Sequence, residues 1–307
     1  MEMIYITGAS GHIGNNLVKQ LNDNNIDFRI LARRMQKSII EFKEKTIIGD
    51  VFSYDFLNKH IEKNDVLIHL AAYINLDNLQ EKMTKEINYD GLITIANFCV
   101  EKNLYLVYTS STDVFNGDKY LVNEQTKIIL EDLRGYYQKY KAKATLYLTE
   151  LINQNKIKAA ILYPSAVIGI NDYKPSQVGK HIKKTLKKRI LPYFNGGYNF
   201  VDVQDVCKSI ISAINLQFVG SCIISNKYLT LKEIYKLISA SLNKKIILIK
   251  IPLFVIKCTT HVFPKLKVMI NALLTPHNFD NKIMIEDLKV IPTPIETTIN
   301  NTLNWFK

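Results

Sequence analysis

Tyr137 and Lys141 stand four residues apart, so on a helix they project from the same side, one turn from each other. A phenol and an ammonium so placed can do proton chemistry. The phenol's ordinary pKa is about 10, and exchanging protons near neutral pH requires it to fall by roughly 3 pKa units, about 4 kcal/mol. A cation one turn away is one source of that fall. Tyr136 offers a competing register, but its i+4 neighbour is Tyr140, which supplies no cation. Upstream lies Tyr108-Thr109-Ser110-Ser111-Thr112-Asp113-Val114-Phe115, with Ser111 26 residues before Tyr137. A serine hydroxyl there could hold a substrate oxygen and stabilise charge developing on it. Ser110 and Ser111 compete for that role. By itself the Tyr–Lys spacing also fits an ordinary surface pair.

A second constellation opens the chain. Thr7-Gly8-Ala9-Ser10-Gly11-His12-Ile13-Gly14 follows an apolar run and begins a helical pattern, with glycines at 8, 11 and 14. Such a turn lets backbone N–H groups approach a pyrophosphate at a helix N-terminus, which carries partial positive charge. Gly14 lets the helix pack close to the strand. A glycine triplet alone also fits a plain turn. The next apolar run, Asp27-Phe28-Arg29-Ile30-Leu31-Ala32, ends in Arg33-Arg34, with Lys37 close by and no acid where a ribose hydroxyl would seek one. Guanidinium groups suit a phosphate through charge and a bidentate fork. A solvated basic loop is the plainer alternative.

The glycine spacing, the serines and the Tyr–Lys pair, in this order, resemble the extended branch of the short-chain dehydrogenase/reductase superfamily. The likeness spans almost the whole chain and is strongest to its dihydroflavonol reductase-like and NAD(P)-dependent epimerase/dehydratase members. It implies catalytic roles for Ser111, Tyr137 and Lys141. Counting back from Val114-Phe115 favours Ser111 over Ser110. It implies that Gly8, Ser10, Gly11, His12, Ile13 and Gly14 take the cofactor pyrophosphate, and that Arg33 and Arg34 take a 2′-phosphate. NADP(H) is therefore expected in preference to NAD(H). Asp50 and Val51 would meet the adenine. Leu70, Ala71 and Ala72 would run beside the cofactor, with Thr109, Pro164 and Val167 near the nicotinamide. Tyr137 and Lys141 would also touch the cofactor, Lys141 through the nicotinamide ribose, and the nicotinamide charge would help lower the phenol.

The same resemblance makes Asn88 a brace, His69 a structural strand-end residue, and Asp205 a cap for the helix after it. Tyr163 stands where such proteins usually carry arginine. The implied activity is an NADP(H)-dependent oxidoreductase reducing a carbonyl or oxidising a secondary alcohol by a Ser-Tyr-Lys mechanism. The alternative is a nucleotide-sugar epimerase or dehydratase that retains its NAD(P). Asp113 argues against dehydration, which in these proteins uses two adjacent carboxylates where this chain has one. A non-catalytic NADP(H)-sensing protein is a third reading, and the intact Tyr–Lys pair argues against it. The expected partner is a small-molecule carbonyl, alcohol or sugar. A homodimer through the Tyr–Lys helix and the next one follows from the resemblance.

Positioning these residues takes an alternation of strands and helices. Strands are predicted at Met3–Thr7, Phe28–Leu31, Thr46–Ile48, Val66–Leu70, Leu104–Thr109 and Lys158–Tyr163. Helices are predicted over Ile13–Leu21, Glu81–Glu101 and Tyr136–Asn153. Nearly continuous apolar strands between helices imply a parallel sheet buried on both faces. The expectation is an α/β fold, a Rossmann-type doubly wound sheet with a smaller C-terminal α+β substrate lobe. Residues 1–164 plus about 199–220 would form the dinucleotide domain, and about 165–198 and 221–307 the lobe. The stretch Pro252 to Asn281 would build the substrate pocket.

Composition sets the outer bounds. The 307 residues are 47% hydrophobic and 22% charged, which excludes collagen-like and disordered chains. A net charge of +12 raises nucleic acid, an anionic membrane surface or a phosphate-bearing ligand. The best basic patch, Lys180–Arg189, comes with no aromatic stacking pattern, and reads as a solvated helix face. No nucleic-acid partner is expected. No apolar stretch approaches the ~20 residues of a membrane span, since Lys250 and Pro252 interrupt Ile246–Ile256. No membrane partner and no secretory signal are expected, and the location would be cytoplasmic. Cys99, Cys207, Cys222 and Cys258 form no CxxC pair, so reduced buried thiols and no metal site are expected.

Overall fold

Apolar runs that cannot face water on either side demand cover on both, and the fold supplies it. The computed structural model describes residues 2–75, 78–115, 121–256, 270, 273–274 and 278–307. The chain begins with β1 (Ile4–Thr7), α1 (His12–Asp23), β2 (Phe28–Ala32), β3 (Thr46–Ile48), α2 (Tyr54–His60) and β4 (Val66–His69). It continues through α3 (Glu81–Lys85), a π-helical turn (Glu86–Asp90), α4 (Gly91–Lys102), β5 (Tyr105–Thr109), β6 (Leu121–Val122), α5 (Tyr136–Asn153) and β7 (Lys158–Pro164). Then come β8 (Ala166–Ile168), α6 (Gln177–Thr185), β9 (Ile190–Tyr193), β10 (Gly197–Asp202), α7 (Val203–Asn215) and β11 (Gly220–Ile224). Last are β12 (Lys227–Thr230), α8 (Leu231–Ser241), β13 (Ile247–Lys250), β14 (Asn278–Phe279), α9 (Lys282–Glu286) and α10 (Ile295–Phe306).

Seven strands form one parallel sheet in the order β11-β7-β5-β4-β1-β2-β3. This is a Rossmann-type doubly wound sheet. The chain steps outward from β1 to β2 and β3, then returns to place β4 on the other side of β1. That reversal opens a crevice beyond the carboxyl ends of β1 and β4, where open α/β sheets bind ligands. One core lies between the sheet and α4–α5, around Leu92, Ile95, Leu106 and Leu148. The other lies under α1 and α7, around Ile6, Leu17, Ile30, Val206 and Ile210.

A third core, with Ile182, Phe200, Ile234, Ile238 and Leu303, belongs to a smaller lobe. There β10 pairs in parallel with β8 and antiparallel with β12, and β13 pairs in parallel with β9. The chain crosses between the layers more than once. β10 lies in the lobe's sheet, and β11, which begins at residue 220, returns to the large one.

Two local expectations change. The helix expected over Glu81–Glu101 is broken by the π turn, which carries Asn88. Asn88 uses its side-chain amide on both main-chain groups of Tyr73, donating to its carbonyl and accepting from its N–H, each at 2.8 Å. Asp205 does not cap α7. Asp202 does, accepting from Gln204 N at 2.8 Å, because the residue at the strand–helix junction still has extended backbone. Asp205, fully buried one turn later, accepts from Thr293 N (2.6 Å) and Thr293 Oγ1 (2.7 Å) and so ties down the Pro292-Thr293-Pro294 turn.

Cys99, Cys207 and Cys222 are buried free thiols, and Cys258 lies outside the described residues, as does most of Pro252 to Asn281. Among the described residues no His, Cys, Asp and Glu cluster could hold a metal, and no helix is long and apolar enough to cross a membrane.

Gly14 fixes how closely α1 approaches β1. A Cβ there would stand 2.4 Å from Gly8 O and 2.5 Å from Ala9 Cα, both main-chain atoms that cannot swing aside. Gly14→Ala is expected to cost about 1–3 kcal/mol as overpacking. A thermal scan should give a clearly lowered Tm, and an unchanged Tm would contradict the close approach.

Candidate active site

The glycine turn forms a cradle made of main chain. Gly8 has φ +76°, a left-handed conformation, and a Cβ on it would meet Ala71 N at 2.4 Å. The turn thus presses on the segment leaving β4, where Leu70 N donates to Thr7 O at 3.1 Å. Gly11 N donates to Gly8 O at 3.0 Å and closes the turn. Gly11 is also the N-cap of α1, with no side chain to satisfy the first-turn N–H groups, and that turn holds no acid. Those donors and the helix dipole suit an anion such as the pyrophosphate of a dinucleotide.

The expected cofactor residues fall around this cradle in different ways. Ser10 turns its carbonyl to Ser38 Oγ at 2.9 Å. The His12 imidazole is used structurally. Its Nε2 bonds Ile170 O at 2.9 Å, and burial pushes its pKa down. Asn16 donates to the same carbonyl and Asn15 to Asn171 O, so α1 is pinned to the loop after β8. What His12 and Ile13 offer an anion is main chain. Arg33 and Arg34 are exposed just past β2 and make no ion pair or side-chain hydrogen bond among the described residues. Asp50 is exposed after β3, where its Oδ1 accepts from Phe52 N at 3.1 Å, and Val51 is buried. Ala71 is half-buried and Ala72 exposed beyond β4. Pro164 ends β7, and Val167 is half-buried on β8.

Both register questions have geometric answers. Ser110 Oγ bonds Thr145 Oγ1 on α5 at 2.6 Å, in the core. Ser111 is left to face the site, accepting from Asp113 N at 3.1 Å and hydrogen-bonding the Tyr137 hydroxyl. Tyr136 and Tyr140 look the other way, towards Glu81, whose Oε1 accepts from Tyr140 OH at 2.8 Å. Tyr137 is buried on the same face of α5 as Lys141.

The electrostatics depart from expectation. The sequence reading had a cation pulling the Tyr137 phenol down. Here burial, the largest effect, and the Asp113 carboxylate push it up, while the Ser111 hydrogen bond opposes them. Lys141 is 2% exposed and donates from Nζ to Thr109 O at 2.7 Å, with Nζ 4.5 Å from the centre of the Tyr108 ring. Burial draws its pKa down to about 7. His69 stacks on Tyr108 and bonds Thr7 Oγ1 at 2.8 Å through Nδ1. Burial, aided by Lys141, lowers it to about 3, so it stays neutral and serves structure.

Tyr163, in the position usual for arginine, packs on Phe115 and reaches Ser221 Oγ at 3.3 Å. It is core.

Sequence reasoning missed Tyr198. Its hydroxyl donates to Asp113 Oδ1 from the lobe strand β10, joining the lobe to the Ser111 loop. Burial raises the Asp113 pKa, and the hydrogen bonds from Tyr198 and Ser111 oppose that rise. The lone carboxylate was visible in the sequence. Its partner, 85 residues away, had no signal beyond lying beside Gly196-Gly197.

Residues 4–220 match the model of the NAD dependent epimerase/dehydratase family. The chain belongs to that family and is an NAD(P)-dependent enzyme of the extended short-chain dehydrogenase/reductase type. A Synechocystis relative named for dihydroflavonol 4-reductase is 27% identical over 67% of this chain, which spans 61% of that protein's length. The ADP-L-glycero-D-manno-heptose-6-epimerase of Brachyspira hyodysenteriae is 26% identical over 78% of this chain and 83% of its own. Among solved structures, a UDP-glucuronic acid 4-epimerase from Bacillus cereus superposes with a TM-score of 0.78 at 16% identity. The match covers 99% of this chain and 98% of that one, a likeness of fold.

Lys141 gives the site a pH signature. Between about pH 7 and 10.5 the unfolded chain holds a proton on this amine that the folded chain does not. Wild-type stability therefore gains with rising pH across that window. Lys141→Met removes the group, and this gain should vanish when denaturant midpoints at pH 7 and pH 9 are compared. The same gain in both proteins would contradict a buried, depressed lysine.

Proposed function

We propose that the protein is an NADP(H)-dependent oxidoreductase that reduces a carbonyl, or oxidises a secondary alcohol, with Ser111, Tyr137 and Lys141 as its catalytic residues. The observation that carries this reading is the meeting of half-buried Ser111 with buried Tyr137 beside the carboxyl end of β5, one helical turn from Lys141. The Gly8–Gly14 cradle would hold NADP(H), which when bound would supply or accept the hydride. The Ser111 hydroxyl holds the substrate oxygen and stabilises charge on it. Tyr137 gives that oxygen its proton in reduction and takes it back in oxidation. Lys141 orders the ribose and favours the phenolate by its charge. Arg33 and Arg34, unpaired at the end of β2, are suited to a 2′-phosphate.

One observation favours a second reading. The heptose epimerase aligns over most of both chains, and an epimerase would use the same three residues while retaining the cofactor. The single carboxylate, Asp113, still weighs against dehydration.

Tyr137→Phe should abolish turnover, by at least a hundredfold for loss of the acid–base group, while NADPH titration gives nearly wild-type affinity. Unchanged turnover would sink the assignment. NADPH should bind the wild type more tightly than NADH, and Arg33→Ala should erode that preference. Equal wild-type affinities would refute the role given to Arg33.

A further inference from the structure

The positive charge of this chain is not spread over it. Residues 173–201 and 234–279 contain 14 of the 40 lysines and arginines and none of the 28 acids. The other 232 residues carry 26 cations against 28 acids and are nearly neutral. The whole excess of +12 therefore falls in two stretches of sequence, of which Lys257, Lys265 and Lys267 lie outside the described residues. These segments meet in the ribbon of β9 and β13.

The outward face of that ribbon is apolar. Register pairs Ile190 with Ile247 and Pro192 with Ile249, so these four share one side. Ile190 is 52% exposed, Ile247 54% and Ile249 48%. The opposite side holds Leu191, which is buried in the lobe's core. Just past β13, Leu253 and Phe254 are 40% and 69% exposed. Lys187, Lys188 and Arg189 lead into β9, Lys245 precedes β13, and Lys250 ends it, all exposed and none ion-paired among the described residues.

We propose that this ribbon face is a docking surface for an anionic lipid bilayer, with the isoleucines and Phe254 entering the headgroup region and the cations meeting lipid phosphates. Charge complementarity selects a polyanion, because nothing acidic in either segment would repel one. The apolar centre selects lipid among polyanions. A nucleic-acid surface would place stacking rings or donors at the middle of such a patch, whereas branched aliphatics favour the acyl boundary. The contact is peripheral and needs no spanning segment. It is independent of the catalytic reading, since none of these side chains belongs to the proposed active site.

Cosedimentation with vesicles tests this. The purified full chain is mixed at low salt with phosphatidylcholine vesicles, or with the same vesicles containing about a third phosphatidylglycerol. Anionic vesicles should capture it at least tenfold better, and high salt should weaken the capture. Lys187→Glu with Lys188→Glu and Arg189→Glu should lower binding by about a hundredfold. Ile247→Ser with Ile249→Ser should lower it severalfold with every cation intact. Both variants alter exposed side chains, and a wild-type Tm is to be checked for each. Equal capture by both vesicle types, or no capture, overturns the proposal. So does anionic binding indifferent to the isoleucine change, or tighter binding to a DNA or RNA duplex than to anionic vesicles. Self-association through this face, read as a dimer that the isoleucine change dissolves while vesicle binding persists unchanged, overturns it as well.

Discussion

A buried ammonium with a main-chain acceptor sets the geometry of this site. Lys141 is withdrawn from water, and its Nζ donates to Thr109 O at the end of β5. Removing a cation from solvent is costly unless it is well paired, so this contact couples α5 firmly to the strand end. The coupling brings the preceding turn of α5, with Tyr137, against Ser111 on the loop that leaves β5. It also puts charge beside Tyr108 and His69, which helps keep the imidazole neutral. The Ser110–Thr145 hydrogen bond repeats the same strand-to-helix tie in the core and occupies the Ser110 hydroxyl there.

Much of this was legible in the sequence because it follows from short-range rules. Glycines at 8, 11 and 14 have one economical use after a strand and before a helix. Their geometry has that form, with main-chain atoms 2.4 Å from a Cβ added at Gly8 or Gly14. The Tyr–Lys spacing placed two side chains on one helical face whatever the rest of the chain did. The less legible features depend on contacts distant in sequence. No local pattern tells that Tyr198 meets Asp113, or that Asp205 holds Thr293 while Asp202 takes the cap. The π turn around Asn88 is likewise set by the need to reach Tyr73, and helical periodicity does not encode it. The upward push on Tyr137 in the chain by itself was not legible in the sequence, for a physical reason. Helical spacing suggests attraction by Lys141, but the cost of burial and the Asp113 carboxylate are tertiary effects.

Tyr198 also connects the two parts of the molecule. The large sheet supplies the glycine cradle and the helix that carries Tyr137 and Lys141. The smaller lobe reaches into the site through the Tyr198 phenol on β10, five residues beyond the end of the ribbon strand β9. Charge is unevenly divided along the chain, so the excess that composition alone left unassigned falls in two stretches of sequence. Arg33 and Arg34 account for little of it. The two acid-free stretches of sequence account for all of it.

The central claim is that hydride passes between a nicotinamide and an external substrate that keeps it, at a site where Tyr137 handles the proton. Incubation of the enzyme with NADPH deuterated at the transferable C4 position and a panel of carbonyl compounds, followed by mass spectrometry, tests this directly. The account predicts an alcohol carrying one deuterium at the former carbonyl carbon, with oxidised cofactor released in equal amount. Conversion of a nucleotide sugar to its epimer with no net oxidation of the cofactor, and no alcohol from any carbonyl, would contradict it.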